Sequence, residues 1–360
     1  MRFYDALQLD PAGLKEKIRS AETPKERHHF QLAILTRAIL IVAFSTILIA
    51  PVSPLFGAEN SCMAVTLLCI LLSIRFVDFG YNIRDSLRNL AIVFFLLFAS
   101  PAVAALLPPL LAALVHFVTF FIILTMTSEQ PQMGNGGLYA FGYIFLAGNP
   151  VTGELLWKRF LLTLVGYLLC AGVFFMKHSK KNPKVPLRSL LANFRLTDPK
   201  CQWQLQMALG ITLLLTLGKL LHVERLMWAG FACASLLGCY SSGDSESLVK
   251  ERFWQRMLGA LLGSGLFALL YAVTPEAFHG LFGTIGGICV GFCTEYRYKT
   301  ALNCFGALML STGLYGLGGS VLLRIADNFL GAAFGYGFCV LYQWFINRHF
   351  TAAEKREINS

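Results

Sequence analysis

Five arginines carry most of the chemistry this sequence can offer. Arg37, Arg88, Arg159, Arg256 and Arg324 each lie inside or at the edge of a long apolar run. A charged side chain at the centre of a membrane helix costs about 2.5–3.5 kcal/mol on insertion scales, so each needs a reason. One reason is recognition, because a guanidinium presents five N–H donors in a fork that fits a carboxylate. The other is anchoring, in which the stem stays in the apolar layer and the head reaches the interface. Arg37, about one and a half turns into its run, fits an anion contact at an inner mouth or plain snorkelling.

Spacing sharpens the choice for the other four. Arg88 and Arg256 each open an apolar run and stand 168 residues apart, and Arg159 and Arg324 do the same 165 residues apart. Arg159 and Arg324 are each followed seven residues later by a glycine, Gly166 and Gly331. LQLDP at 7–11 and FRLTDP at 194–199 echo one another ahead of an apolar run. Two near-equal offsets in one order are the mark of an internal repeat. Beside these cations stand groups an organic acid would use: the ring of Trp228, the amide of Asn328, and His116 and Asp327 as candidates for proton coupling. Each also has a plainer reading. Trp228 suits an interface belt, His116 a hydrogen-bonded interior position, and Asp327 a local pair with Arg324 one turn away.

Composition decides what must position them. The chain has 360 residues, of which 56% are hydrophobic and 14% charged, far from the balance of a soluble domain. Twelve apolar runs fall near 32–50, 61–74, 87–107, 109–126, 137–147, 159–176, 205–221, 226–239, 255–273, 278–293, 301–317 and 327–346. The expected fold is therefore all-α: a polytopic membrane protein of about twelve transmembrane helices in two parallel six-helix repeats. Residues 1–30 read as a cytoplasmic amphipathic lead-in, with a helix start at Asp10-Pro11 and no cleavable signal segment. The first repeat covers 31–176, a basic cytoplasmic linker 177–204, the second repeat 205–346 and a cytoplasmic tail 347–360. The fifth run is short and flanked by Gly134, Gly136, Gly137 and Gly148, so it reads as broken or re-entrant.

The net charge of +10 orients this layout. With both termini inside, the inner segments hold 24 of the 30 Lys and Arg. Lys158, Arg159, Lys219, Arg225 and Arg324 fall outside, and Arg37 lies within the first span. That bias points to cytoplasmic termini and to anionic lipid on the inner leaflet, not to nucleic acid. Arg88 and Arg256 then sit at inner entrances, where anchoring alone would account for them. Arg159 and Arg324 run against the bias, which makes them the sharper candidates for a substrate contact.

Other chemistries find no support. There is no HExxH, nucleophile elbow, P-loop or dinucleotide fingerprint, so no enzyme and no cofactor is expected. Tyr240-Ser241-Ser242-Gly243-Asp244 reads as a polar turn. The ten cysteines form no CxxC pair and have no histidine at ligand spacing, so no metal site is expected. In LVKERFWQRMLGALLGSG at 248–265, a basic approach leads into the pair Gly259 and Gly263, a GxxxG stripe suited to close helix packing and read as a seam between the halves.

Trp228-Ala229 in a short second span, RMLGALLG at 256–263 and RIADNFLGAAFG at 324–335 together resemble the FUSC (fusaric acid resistance) family, which includes aromatic acid exporters and is related to plant anion channels of the aluminium-activated malate type. The resemblance extends over most of residues 30–346 and is clearer in the second half, since Ala91 stands where Gly259 does and no Trp matches Trp228. It implies transport or permeation of small organic anions. The expected function is a permease exporting small organic, principally aromatic, acid anions by secondary transport from a prokaryotic cell membrane. A passive organic-anion channel and a non-transporting envelope scaffold are the alternatives, and a homo-oligomer or an accessory envelope protein would be the protein partner.

Overall fold

The computed structural model describes residues 1–192, 194–240 and 245–358, and among them it contains helices and no strand. In chain order these begin with α1 (Phe3–Gln8), α2 (Pro11–Arg19), α3 (Pro24–Ile49), α4 (Val52–Phe56) and α5 (Ser61–Ser73). Next come α6 (Ile83–Leu106), α7 (Pro109–Thr127), α8 (Asn135–Ala147), α9 (Gly153–His178) and α10 (Leu187–Ala192). The remainder are α11 (Pro199–Leu220), α12 (Leu226–Leu237), α13 (Ser245–Val273), α14 (Leu281–Val290) and α15 (Tyr296–Ile358). The polar turn expected at 240–244 falls largely outside the described residues.

Among the described residues, six helical stretches are long and apolar enough to cross a membrane: Pro24–Phe56, Ile83–Leu106, Pro109–Thr127, Gly153–His178, Glu246–Val273 and Tyr296–Arg348. The protein is thus an all-helical, multi-pass membrane protein. α5, α8, α12 and α14 are apolar but have only 13, 13, 12 and 10 residues. At 1.5 Å per residue none reaches the ~30 Å of a hydrocarbon core alone. Of the two readings of the fifth run, the broken one is corrected, because α8 is one continuous helix; its 13 residues do not contradict the re-entrant one.

Local sequence sets the helix starts. Asp10, Asn82 and Asp198 cap α2, α6 and α11 by accepting from the backbone N–H of Gly13, Asp85 and Lys200 at 2.9 Å each. Pro follows the cap in α2 and α11, where its missing N–H costs nothing.

The chain forms two compact units that cut across the sequence halves. One comprises Met1–Leu48 and Trp254–Asn328, the other Ile49–Phe253 and Phe329–Ser360. In the first unit the lead-in folds back on α3. Ala6 and Leu14 are fully buried with Ala33 and Ile34, and Phe292 packs against them. The apolar face of the lead-in is therefore covered by the protein itself. Gly259 and Gly263 of α13 meet the start of α15. A Cβ on Gly259 would lie 2.6 Å from the Arg297 carbonyl oxygen, and one on Gly263 would collide with the Ala301 backbone. The glycine stripe is a seam inside the second sequence half, not one between the halves.

In the second unit α5 and α12 pack on α8, and α6, α7, α9 and α11 surround them. Tyr139, Tyr143, Ala229, Ala232 and Cys233 are fully buried there. The 177–204 linker is strapped to this unit. Lys181 Nζ pairs with Asp78 at 3.0 Å, Asn82 N–H donates to the Val185 carbonyl at 2.8 Å, and Lys200 Nζ meets both Glu129 oxygens at 2.9 and 3.0 Å. Burial alone would lower the Lys200 ammonium, and the hydrogen-bonded Glu129 carboxylate more than reverses it, so its pKa stands above the ordinary lysine value.

Candidate functional site

α15 is interrupted at Gly316, whose φ of 67° and ψ of 174° are open essentially to glycine alone. The contacts of Arg256 show what this interruption does. Its Nε donates to Asn328 Oδ1 at 3.0 Å and its Nη1 to the Tyr296 hydroxyl at 2.9 Å. On a straight helix Tyr296 and Asn328 would be about 48 Å apart, far beyond the reach of one side chain. The chain therefore turns back at Gly316, and helix resumes at residue 317. The last apolar helix begins some ten residues before the expected 327, so Arg324 lies two turns inside it, not at its mouth. Arg256 is likewise three turns into α13, not at its entrance.

A polar group of side chains results inside the first unit. Arg256 and Arg324 are 9% and 5% exposed, Asp327 5%, and Asn328 fully buried. Asn328 also donates from Nδ2 to the Arg324 carbonyl oxygen at 2.7 Å, which fixes its amide so that Oδ1 faces Arg256. Of Arg256's five donors, two have partners among the described residues, and both acceptors are neutral side chains. Such a guanidinium can exchange an amide and a phenol for a carboxylate.

Arg159 is placed differently, within the second unit. It is 3% exposed. Its Nε donates to Asn60 Oδ1 at 2.7 Å, Nη1 to the Asn149 carbonyl at 2.8 Å, and Nη2 to the Glu59 carbonyl at 3.0 Å and to Cys62 Sγ at 3.4 Å. It ties the start of α5 and the end of α8 to α9. Its sequence counterpart by position, Arg324, belongs to the first unit.

The remaining candidates are scattered. Arg88, matched with Arg256 by spacing, has a side chain 64% exposed that pairs with Asp85 at 3.9 Å. Arg37 is half-buried in α3. Trp228 is buried, with the Arg225 guanidinium 5.5 Å from its ring centroid, so it does not stand in a lipid-facing belt. His116 is buried and bonds the Tyr143 hydroxyl through Nδ1 at 2.8 Å, and Thr119 beside it donates to Ser100 at 2.8 Å. No group of three or more metal-ligating side chains occurs among the described residues.

Residues 212–338 match the family model described as fusaric acid resistance protein-like. This segment, about a third of the chain, is similar to the fusaric acid resistance-like family. No curated protein and no solved structure matches the chain. The fusaric acid resistance-like segment contains Trp228, Arg256, Arg324, Asp327 and Asn328, and leaves Arg37, Arg88, His116 and Arg159 outside. The family is associated with membrane transport and resistance.

Tyr296, Asn60 and Asn149 were not among the residues expected from sequence. Each has a faint signal, a hydrogen-bonding side chain at the end of an apolar run. That signal is too common in membrane helices to choose among them.

Proposed function

We propose that this protein is a permease that exports small organic, principally aromatic, acid anions by secondary transport, without enzymatic activity and without a cofactor. It works in a prokaryotic cell membrane with both termini cytoplasmic and anionic lipid on the inner leaflet. The observation that carries this reading is the buried Arg256, bonded only to neutral side chains among the described residues, one of them Asn328, which stands one turn of α15 from Arg324. An anion entering there gains charge-assisted hydrogen bonds in a medium of low dielectric, where they are stronger than in water. Asp327, next to Asn328, is the group on α15 that can take up or release a proton as the anion passes. Export down an inside-negative potential is favoured by about 2.3 kcal/mol per charge per 100 mV.

The export reading takes the chain as two related halves of about six segments each, which can rock about a site. In its favour, a Cβ on Gly166 of α9 would meet Leu67 of α5, and one on Gly331 of α15 would meet Ala229 of α12. In both halves the sixth segment thus closes on the short second one.

The test is efflux of labelled benzoate from proteoliposomes under an imposed potential. Saturable flux that falls at least about tenfold in Arg256→Gln, with the variant still monodisperse, is the expected outcome. Equal flux in the variant would remove the reading.

A further inference from the structure

The second unit holds a run of polar side chains that the arginine group does not use. His116 of α7 bonds the Tyr143 hydroxyl of α8 through Nδ1 at 2.8 Å. Tyr143 is in turn within hydrogen-bonding reach of Thr119, one turn along α7 from His116. Thr119 donates to the Ser100 hydroxyl of α6 at 2.8 Å. All four side chains are buried. Elsewhere in this unit Thr66, Thr163 and Thr216 satisfy their buried hydroxyls within one helix, each on the carbonyl four residues back. Thr119 and Tyr143 instead link three helices side chain to side chain. Such a run can relay a proton as well as pack.

The register of α7 and α8 extends the run. The connection at 128–134 folds α8 back along α7, and Asn135 Nδ2 donates to the Thr127 carbonyl at 2.8 Å. From that junction His116 lies eleven residues back along α7 and Tyr143 eight residues on along α8, about 16 and 12 Å of rise. Close to the junction Tyr81 donates to the Met126 carbonyl at 2.7 Å and accepts from Asn89 Nδ2 at 2.8 Å. Tyr139 stands between these two bonded groups, about 6 Å along α8 from each end of the gap. It is fully buried, and its hydroxyl has no partner among the described residues. Burying such a hydroxyl is costly, and phenylalanine would fill the same volume without it. A phenol at the missing step of a hydrogen-bonded column has a use that a packing residue has not.

Charged groups stand at both ends of this column. Lys219 Nζ donates to the Ala104 and Leu107 carbonyls at 3.3 and 3.2 Å, and its charge acts on His116. The Asp85 and Glu129 carboxylates act on Tyr81, and Lys200 pairs with Glu129 at 2.9 Å. The Cys170 thiol faces Tyr139. His116, Tyr143, Tyr139 and Tyr81 all lie outside residues 212–338, so the column is a feature of this chain and not of the matched segment.

We infer that the second unit carries a proton path in which His116 binds the proton and Tyr143 and Tyr139 pass it toward Tyr81. This rests on the permease reading above, and adds a proton-carrying group in the second unit to Asp327 in the first. Imidazole is the side chain whose ordinary pKa lets it gain and lose a proton between pH 5 and 8. It takes a proton on Nε2 and releases the one on Nδ1 to the Tyr143 oxygen, which gives its own hydroxyl proton onward. The ring ends neutral in its other tautomer, and no tyrosinate forms.

The experiment uses the full chain in proteoliposomes, with protein-free liposomes subtracted. Labelled benzoate is followed as net flux driven by a pH gradient and as counterflow against unlabelled benzoate at equal pH. Counterflow moves no net proton, so it reads the anion site alone. The wild type should show both. His116→Gln, which can still bond Tyr143, should lose pH-driven flux at least about tenfold and keep counterflow. Tyr143→Phe should show the same split, and it provides the reading if His116→Gln fails to fold. Tyr139→Phe should also slow the pH-driven flux while melting no lower than wild type, because the hydroxyl it removes has no partner. Unchanged pH-driven flux in these variants, or counterflow that falls in step with it, would overturn the inference and assign the column to helix packing. A wild type with counterflow and no response to the pH gradient would overturn it too and leave the permease reading standing. Absence of both fluxes in the wild type would overturn both.

Discussion

Arg159 and Arg256 are two buried arginines of one chain, and they do opposite things with the same five donors. Arg159 bonds two backbone carbonyls, an asparagine and a cysteine. Those carbonyls lie at or just beyond helix ends, where backbone groups lack intrahelical partners, so the guanidinium takes the place of water at both. Among the described residues Arg256 bonds an amide and a phenol, and no backbone group. A carbonyl at a helix terminus cannot leave, whereas a side chain can rotate away. The difference separates an arginine that holds the fold from one that can hold a ligand, and it lies in the acceptors, not in burial or in position along the helix.

Substitution of Arg159 gives the largest effect and tests the comparison most directly. Arg159→Gln strands the Asn149 carbonyl, at about 1–3 kcal/mol, and leaves the Glu59 carbonyl with only the weak Cys62 thiol donor. A fall in the folded, monodisperse fraction and a clear drop in melting temperature are expected by heated size-exclusion chromatography. Arg159→Lys should rescue little, since one ammonium cannot reproduce the fork. Melting within a degree or two of wild type would show that the brace is dispensable and that Arg159 has another purpose.

Arg256→Gln should give the converse pattern. The amide can still donate to Asn328, so melting should shift by no more than about 1 kcal/mol equivalent, while organic-anion flux falls at least about tenfold. If Arg256→Gln unfolds the protein as Arg159→Gln does, the two sites are both braces and the comparison collapses.

The hinge region sharpens the same contrast. Gly316→Ala places a side chain in a backbone region that is essentially glycine-only, at an order of 1–3 kcal/mol. Because the reversal at Gly316 is what brings Asn328 to Arg256, this variant should lose flux as well as stability. Gly263→Leu, which drives a side chain into the Ala301 backbone, should cost about 1–3 kcal/mol by overpacking. Heated size-exclusion chromatography and the flux assay, run together on both variants, separate the outcomes. A Gly316→Ala protein with wild-type flux would detach the arginine group from the hairpin.

Much of this was legible in the sequence, and the limits have physical causes. Apolar runs and charge bias give a helical membrane protein directly, because the bilayer leaves few alternatives. The arginines could be picked out for the same reason, since each is costly. Their roles could not. Spacing matched Arg88 with Arg256, yet one is an exposed partner of Asp85 and the other is buried against Asn328. Period and offset describe position along a chain, and the acceptors around a guanidinium come from residues 10 to 100 positions away. Gly316 was hidden among neighbours that include Gly313, Gly318 and Gly319, with nothing local to say which one turns the chain. The glycine pair at 259 and 263 was recognised as a close-packing face, but a stripe does not name its partner.

The smallest effect lies at the linker, away from both arginine sites. Burial alone would raise the Asp78 carboxyl. Hydrogen bonds from Lys181 and the Gly80 N–H, with the charges of Lys181 and His178, outweigh burial and hold it below the usual aspartate value. A carboxyl depressed in the folded state adds stability above its unfolded pKa of about 3.9 and loses it as pH falls through the folded value. The Lys181 side chain is half exposed, so solvent screening limits the contribution to about 1 kcal/mol or less. Wild type should therefore lose a small increment of melting temperature between about pH 4 and the depressed value. Asp78→Asn should be flat across that window while leaving flux at neutral pH unchanged. An Asp78→Asn protein that loses transport at neutral pH would show that the strap communicates with the Arg256 group, and that the division between arginines that hold the fold and arginines that hold a ligand is too simple.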